Sequence, residues 1–100
     1  MKFGEIWREQ IDQNLFRYIV IVSPESLNTQ LEQIIVVPIV SRFKNWPTRL
    51  AVKFHNRSRQ IQGESVLTIP KSNLVEKLAE LSLIEKAKLR LFLKQLFLEL

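Results

Sequence analysis

Two runs of β-branched residues set the terms for how this chain can fold. Residues 17–23 read RYIVIVS and residues 34–40 read IIVVPIV. Branching at Cβ restricts χ1 and suits a pleated strand better than a helix. Apolar runs without alternation mark strands covered on both faces. Residues 48–54 do alternate: Leu50, Val52 and Phe54 point one way, Arg49 and Lys53 the other. That is the pattern of a half-buried strand with a basic outer face. Residues 2–7 and 64–69 read as further, shorter strands, and residues 56–59 as a hairpin-like loop entered at His55. Pro38 cannot donate to a ladder, so its strand is expected at an edge or a bulge.

The period changes near the end. Ser82-Leu83-Ile84-Glu85 fits the S-x-x-E capping box, in which side chains satisfy the free N–H groups of a first helical turn. With no Gly or Pro after it, a helix is expected over residues 82–98. Residues at 100° intervals fall into two apolar stripes. Ile84, Ala87, Leu91 and Leu98 form a narrow one; Leu89, Phe92, Leu93, Leu96 and Leu100 form a broader one. Packing on one sheet uses one stripe, so the second implies a subunit interface or a bound partner.

One hundred residues, 46% of them apolar, make a single domain with a core, expected over residues 1–100. The absence of cysteine excludes disulfide and thiolate chemistry, and a single histidine, His55, argues against a zinc site. Two glycines exclude a Gly-rich phosphate loop. The first residues are charged and lack an apolar signal core, and no run approaches the length of a membrane span, so a cytoplasmic protein without a membrane partner is expected. Net charge is +5, but its placement says more. Between Gln33 and Gly63 stand Arg42, Lys44, Arg49, Lys53, Arg57 and Arg59 with no acid among them. Such a local excess attracts a polyanion or an acidic partner.

The order of motifs resembles that of MazF/PemK-type toxins. Those proteins open as Gly4-Glu5-Ile6-Trp7 does here. An R-P-x-[IV]-[IV]-[IV]-[ST] strand and a nearby Asn follow, matched by residues 17–24 and by Leu27-Asn28. Val37-Pro38-Ile39-Val40-Ser41 stands for their V-P-[IV]-[ST] strand, and residues 46–52 for a loop ending in proline with an alternating strand. Residues 69–74 resemble the family's I-D-K-x-R-L turn, residues 77–82 its short K-[IL]-x-x-L-[ST] strand, and the amphipathic helix closes both. The resemblance implies a mainly β fold: a small, strongly curved, SH3-like barrel of about five to seven strands with a terminal helix. CcdB toxins share that shape. It implies, too, the toxin of a type II toxin–antitoxin pair, a homodimer that cleaves single-stranded RNA without a cofactor or metal and is held by an antitoxin with an acidic tail.

Metal-free RNA cleavage uses the RNA's own 2′-hydroxyl as nucleophile. The protein assists its deprotonation, protonates the leaving oxygen and stabilises the added negative charge on phosphorus. In the family that work falls to the arginine of the R-P strand and to a threonine after the V-P segment, helped by a glutamine and an arginine on a later strand. Arg17 keeps the arginine. Val40 stands at the threonine position, with Ser41 beside it; neighbouring strand residues face opposite ways, so Ser41 substitutes only if a bulge re-aims it. Ser65 and Leu67 stand at the helper positions, and Tyr18 replaces the family's proline. The expected catalytic pair is therefore Arg17 and Ser41. The expected nucleic-acid contacts are Arg42, Lys44, Trp46, Arg49, His55 and Arg57, with Phe43 and Trp46 as aromatic surfaces for unpaired bases. Competing readings stay open. Arg17 can simply pair with Glu5 or Glu9. The chain can be a catalytically degenerate module that binds nucleic acid or an antitoxin, or a CcdB-like topoisomerase poison.

Overall fold

The computed structural model describes residues 1–98. Among these, seven strands and two α-helices follow one another, with a 3-10 turn at Lys71–Asn73 between the last two strands: β1 (Glu5–Gln10), β2 (Phe16–Ile21), α1 (Glu25–Asn28), β3 (Gln33–Val40), β4 (Arg49–Phe54), β5 (Arg57–Gln62), β6 (Leu67–Pro70), β7 (Leu74–Glu80) and α2 (Leu83–Leu98). The strands form one curled antiparallel sheet in the order β4-β5-β3-β2-β1-β7, and β6 pairs with the other half of β3.

β2 and β3 lie at the centre, which explains their unbroken apolar runs. Their even and odd positions feed two separate cores. Val20, Val37 and Ile39 join Ile6, Val52, Phe54, Ile61, Leu81 and the helical Leu89 on one face. Ile19, Ile21, Ile34 and Val36 join Ile69 and Leu74 on the other. α2 covers the first face, and Leu93 packs there beside the fully buried Leu89. Gly63 permits this approach: a Cβ at that position would strike the Phe92 ring and lie 2.8 Å from the Thr48 carbonyl oxygen.

The capping box forms as expected. The Ser82 hydroxyl accepts from Glu85 N–H at 3.1 Å, and the Glu85 carboxylate accepts from Ser82 N–H at 2.9 Å. The broad stripe of α2 faces the sheet, whereas Ile84, Ala87, Leu91 and Leu98 of the narrow one are exposed. Leu100 lies outside the described residues.

Several boundaries differ from the sequence expectation. β1 begins at Glu5, β6 spans only Leu67–Pro70, and the strand near residue 77 starts earlier, at Leu74. Residues 57–59 are not loop but the start of β5. The connection from β4 is just His55 and Asn56, at φ of 52° and 59°. Two successive positive φ angles make the tight turn whose twist suits a hairpin. Pro38 sits at neither an edge nor a bulge. It faces Ile19 in an unshifted β2–β3 register, and on its other side falls between the β6 pairing, which ends at Val36, and the β5 pairing, which begins at Ile39. A missing donor costs nothing in that gap.

Asn28, part of the family-like motif, is a structural clamp. Its amide donates to the Met1 carbonyl at 3.0 Å and the Ser23 carbonyl at 2.9 Å, its oxygen accepts from the Ser23 hydroxyl at 2.6 Å, and its own carbonyl accepts from Lys71. Asn28→Ala strands the Met1 and Ser23 groups held by the side-chain amide while the backbone carbonyl still accepts from Lys71, and a loss of about 2 kcal/mol in urea unfolding is expected.

Candidate nucleic-acid interface

The end of β1, the start of β2, the end of β3 and the β4–β5 turn meet at one rim of the sheet. Arg17 is the second residue of β2 and lies directly across from Glu9. Its side chain is on the face opposite α2, since Tyr18 and Ile19 on either side of the alternation belong to the first and second cores respectively. Arg17 Nε donates to Glu9 Oε1 at 2.5 Å. Glu9 is 4% exposed and Arg17 35%. Of the two acids that the sequence offered as partners, Glu9 is the one used. Glu5 instead accepts from Trp7 Nε1 and pairs with Lys77. The pairing engages only Nε; the two terminal nitrogens of Arg17 have no protein partner among the described residues.

Extending the β2–β3 register one step sets Val40 beside Arg17, and Val40 faces Gln60 on β5. No hydroxyl stands there. Ser41 is the first residue beyond the strand, exposed and in a bend. No register shift occurs along Tyr18–Ile21, so β3 itself carries no bulge; Ser41 lies past the strand, in a bend, where the alternation of β3 no longer sets the side it faces. Neither helper position supplies a long polar side chain: Ser65 stands in a turn closed by its backbone N–H onto the Gln62 carbonyl at 3.1 Å, and Leu67 packs against the second core.

The loop from Ser41 to Thr48 is held down by two side chains. Gln60 grips Lys44 at both ends: Lys44 N–H donates to Oε1 at 3.0 Å, and Nε2 donates to the Lys44 carbonyl at 3.1 Å. Arg49 engages Glu64 through Nε and Nη2, the latter at 2.9 Å, and Trp46 lies over its guanidinium at 5.0 Å. Burial alone would lift the Glu64 carboxyl, but hydrogen bonds from Arg49, Thr48, Gln62 and its own backbone together outweigh it and hold the pKa at about 2. With 6% of its side chain exposed, Arg49 is committed to this clamp. Arg42, Phe43, Lys44 and Trp46 remain exposed on the loop, as do His55 and Arg57 at the turn. Thus the structure gathers Arg17, Ser41, His55 and Arg57 at one rim and hangs Arg42, Lys44 and Trp46 on the adjoining loop.

Sequence reasoning missed Gln60 and Glu64. Glu64 carried a usable signal, being the first acid after the basic stretch and directly following Gly63.

A curled sheet with a terminal helix on one face and a half-engaged arginine at its rim defines a toxin-fold barrel. A model of the PemK-like, MazF-like toxins of type II toxin–antitoxin systems matches residues 2–97, and the chain belongs to that family. Solved structures agree in shape. An endoribonuclease in complex with its cognate antitoxin from a mycobacterial species is 18% identical, with a TM-score of 0.84 over 95% of this chain and 92% of that one. The Mycobacterium tuberculosis toxin MazF-mt6 is 21% identical, TM-score 0.82, over 93% and 95%. A MazE–MazF structure from Deinococcus radiodurans is 20% identical, TM-score 0.84, over 96% and 93%. No curated protein matches the chain. No helix among the described residues is long and apolar enough to cross a membrane.

Proposed function

We propose that this toxin cleaves single-stranded RNA in the cytoplasm through the RNA's own 2′-oxygen. The observation that carries the reading is Arg17: Glu9 holds its Nε, while both terminal nitrogens stay open at a rim flanked by an acid-free basic segment. The 2′-oxygen bonds to phosphorus, the 5′-oxygen leaves with a proton, and a 2′,3′-cyclic phosphate remains. The forked guanidinium neutralises charge on the phosphoryl oxygens as that bond forms. Ser41, at a bend past the strand's alternation, supplies the hydroxyl that Val40 lacks. Arg42, Lys44, Trp46, His55 and Arg57 hold the flanking strand. Arg49 serves through the loop it pins.

Incubating the protein with a long single-stranded RNA in EDTA tests this. Fragments with 2′,3′-cyclic phosphate and 5′-hydroxyl ends are expected; intact RNA overturns the enzyme reading. A degenerate binding module is the second reading, favoured by Val40 on the face of Arg17 and by the counter-charge of Glu9. Salt-sensitive RNA binding without cleavage identifies that case.

Two partners complete the proposal. One is an antitoxin whose acidic segment competes for the same rim, in keeping with the antitoxin complexes among the structural relatives. The other is a second copy of the chain, seated on the exposed Ile84, Ala87, Leu91 and Leu98 stripe of α2. Leu91→Lys places a charge in that seam without touching the sheet. It is expected to halve the mass seen in light scattering while the helical circular dichroism stays the same.

A further inference from the structure

Beyond Arg17, the same rim carries a ladder of rings and guanidinium groups on its other face. Phe16 and Tyr18 flank Arg17 in sequence and therefore point the opposite way from it. The Phe16 and Tyr18 rings meet edge to face at 5.7 Å, and Tyr18 meets Phe54 likewise at 5.1 Å. His55 stacks on Phe54 with centroids 3.9 Å apart and planes inclined by 21°. Arg59 lies over both Tyr18, at 5.0 Å, and Phe54, at 5.7 Å; Arg8 lies over Phe16 at 5.6 Å. The Nε atoms of Arg8 and Arg59 are buried without a hydrogen-bond partner; among the described residues Arg8 forms an ion pair with Glu76 at 3.7 Å and Arg59 forms none. Phe16, at 46% exposed, and His55 present open ring surface to solvent.

We infer that this ladder is a stacking platform for unpaired bases of a single-stranded nucleic acid. The strand crosses the rim with a phosphate at Arg17 on one face and a base on Phe16 or His55 at the other. The inference rests on RNA being the ligand and adds how its bases are held. The occupant follows from charge and shape. An apolar protein surface laid over Phe16 would bury two guanidinium groups with one carboxylate between them, at a desolvation cost. A nucleic acid supplies flat rings to the aromatic faces and phosphates to Arg8, Arg57 and Arg59. Stacking is indifferent to base identity, so the platform grips the strand without selecting a sequence.

The test uses the full chain and 2′-O-methyl oligonucleotides, which bind but cannot be cut, alongside abasic oligonucleotides of equal length. Phe16→Ala is expected to weaken binding of the base-bearing strand about 5- to 150-fold, the loss of one stacked base, and Phe16→Tyr to restore it. Abasic binding and the slope of affinity against salt are expected to stay as in the parent. Equal affinity of the parent for both oligonucleotides overturns the platform. So does a Phe16→Ala variant that binds like the parent, or one that alters only the mass in solution. Cleavage is read separately on unmodified RNA. Binding that depends on Phe16 without any cutting removes the nuclease proposal and leaves the platform; cutting that ignores Phe16 does the reverse.

Discussion

Arg17→Lys is expected to fold like the parent and to cut RNA about 10²- to 10³-fold more slowly, the usual effect of losing one electrostatic donor to a transition state. A lysine keeps one positive charge beside Glu9 but loses the planar fork, so it cannot hold Glu9 with one nitrogen and offer two others outward. Arg17→Ala is the less clean variant. A rim arginine looks removable at no structural cost, yet Glu9 is 4% exposed, and truncating its partner leaves a nearly buried carboxylate alone. A cost of about 2–3 kcal/mol is expected. At this chain length that lowers the melting temperature by about 10–20 °C. Glu9→Gln separates the two roles. It keeps an oxygen to accept from Nε while removing the counter-charge, so RNA binding is expected to tighten a few-fold. Glu9→Leu removes the acceptor as well, and cleavage is expected to fall. If Glu9→Leu cuts as fast as the parent, Glu9 does not orient Arg17.

The central strands were legible because burial on both faces leaves a chemical mark: residues 19–21 of β2 and 34–40 of β3 are apolar without a break. The helix was legible for a different reason, since Ser82 and Glu85 satisfy a local need of the backbone that no tertiary contact replaces. β5 was not legible. Arg57, Ser58, Arg59, Gln60 and Gln62 look like loop residues, and what makes them a strand is pairing with β4 and β3. The His55-Asn56 turn lacks the glycine that normally announces a two-residue hairpin. Pro38 misled because a rule about edges was applied to a strand whose neighbour changes along its length. At the site, Arg17 was visible through its place in a motif. Whether it is free or held depends on Glu9, eight residues away in sequence and opposite only once β1 and β2 pair. The same holds for Arg49, whose alternation implied solvent and whose partner Glu64 lies beyond a strand and a turn.

Glu64→Ala is expected to be among the most destabilising single changes outside the cores. Arg49 has 6% of its side chain exposed and spends Nε and Nη2 on this one carboxylate. Removing it strands a nearly buried guanidinium, at about 3 kcal/mol. The consequence reaches the loop, because Arg49 also lies beneath Trp46 and donates to Gln60 Oε1 at 3.5 Å, and Gln60 holds Lys44. Trp46 emission is therefore expected to shift to the red at temperatures well below unfolding. Acid offers an independent check. The carboxyl's pKa is about 2 in the folded chain against the usual 4.5, so its stabilisation is complete above about pH 4.5. It fades as pH falls and is gone near pH 2. A depression of that size corresponds to about 3 kcal/mol. Neighbours also hold the Glu5 and Glu80 carboxyls below the usual carboxylate value, so the parent curve alone does not isolate Glu64. The difference between parent and Glu64→Gln does: it is expected to be flat above pH 4.5 and to close below it. A gap that stays constant down to pH 2 would show that the Arg49 clamp holds the loop by shape and packing rather than by charge.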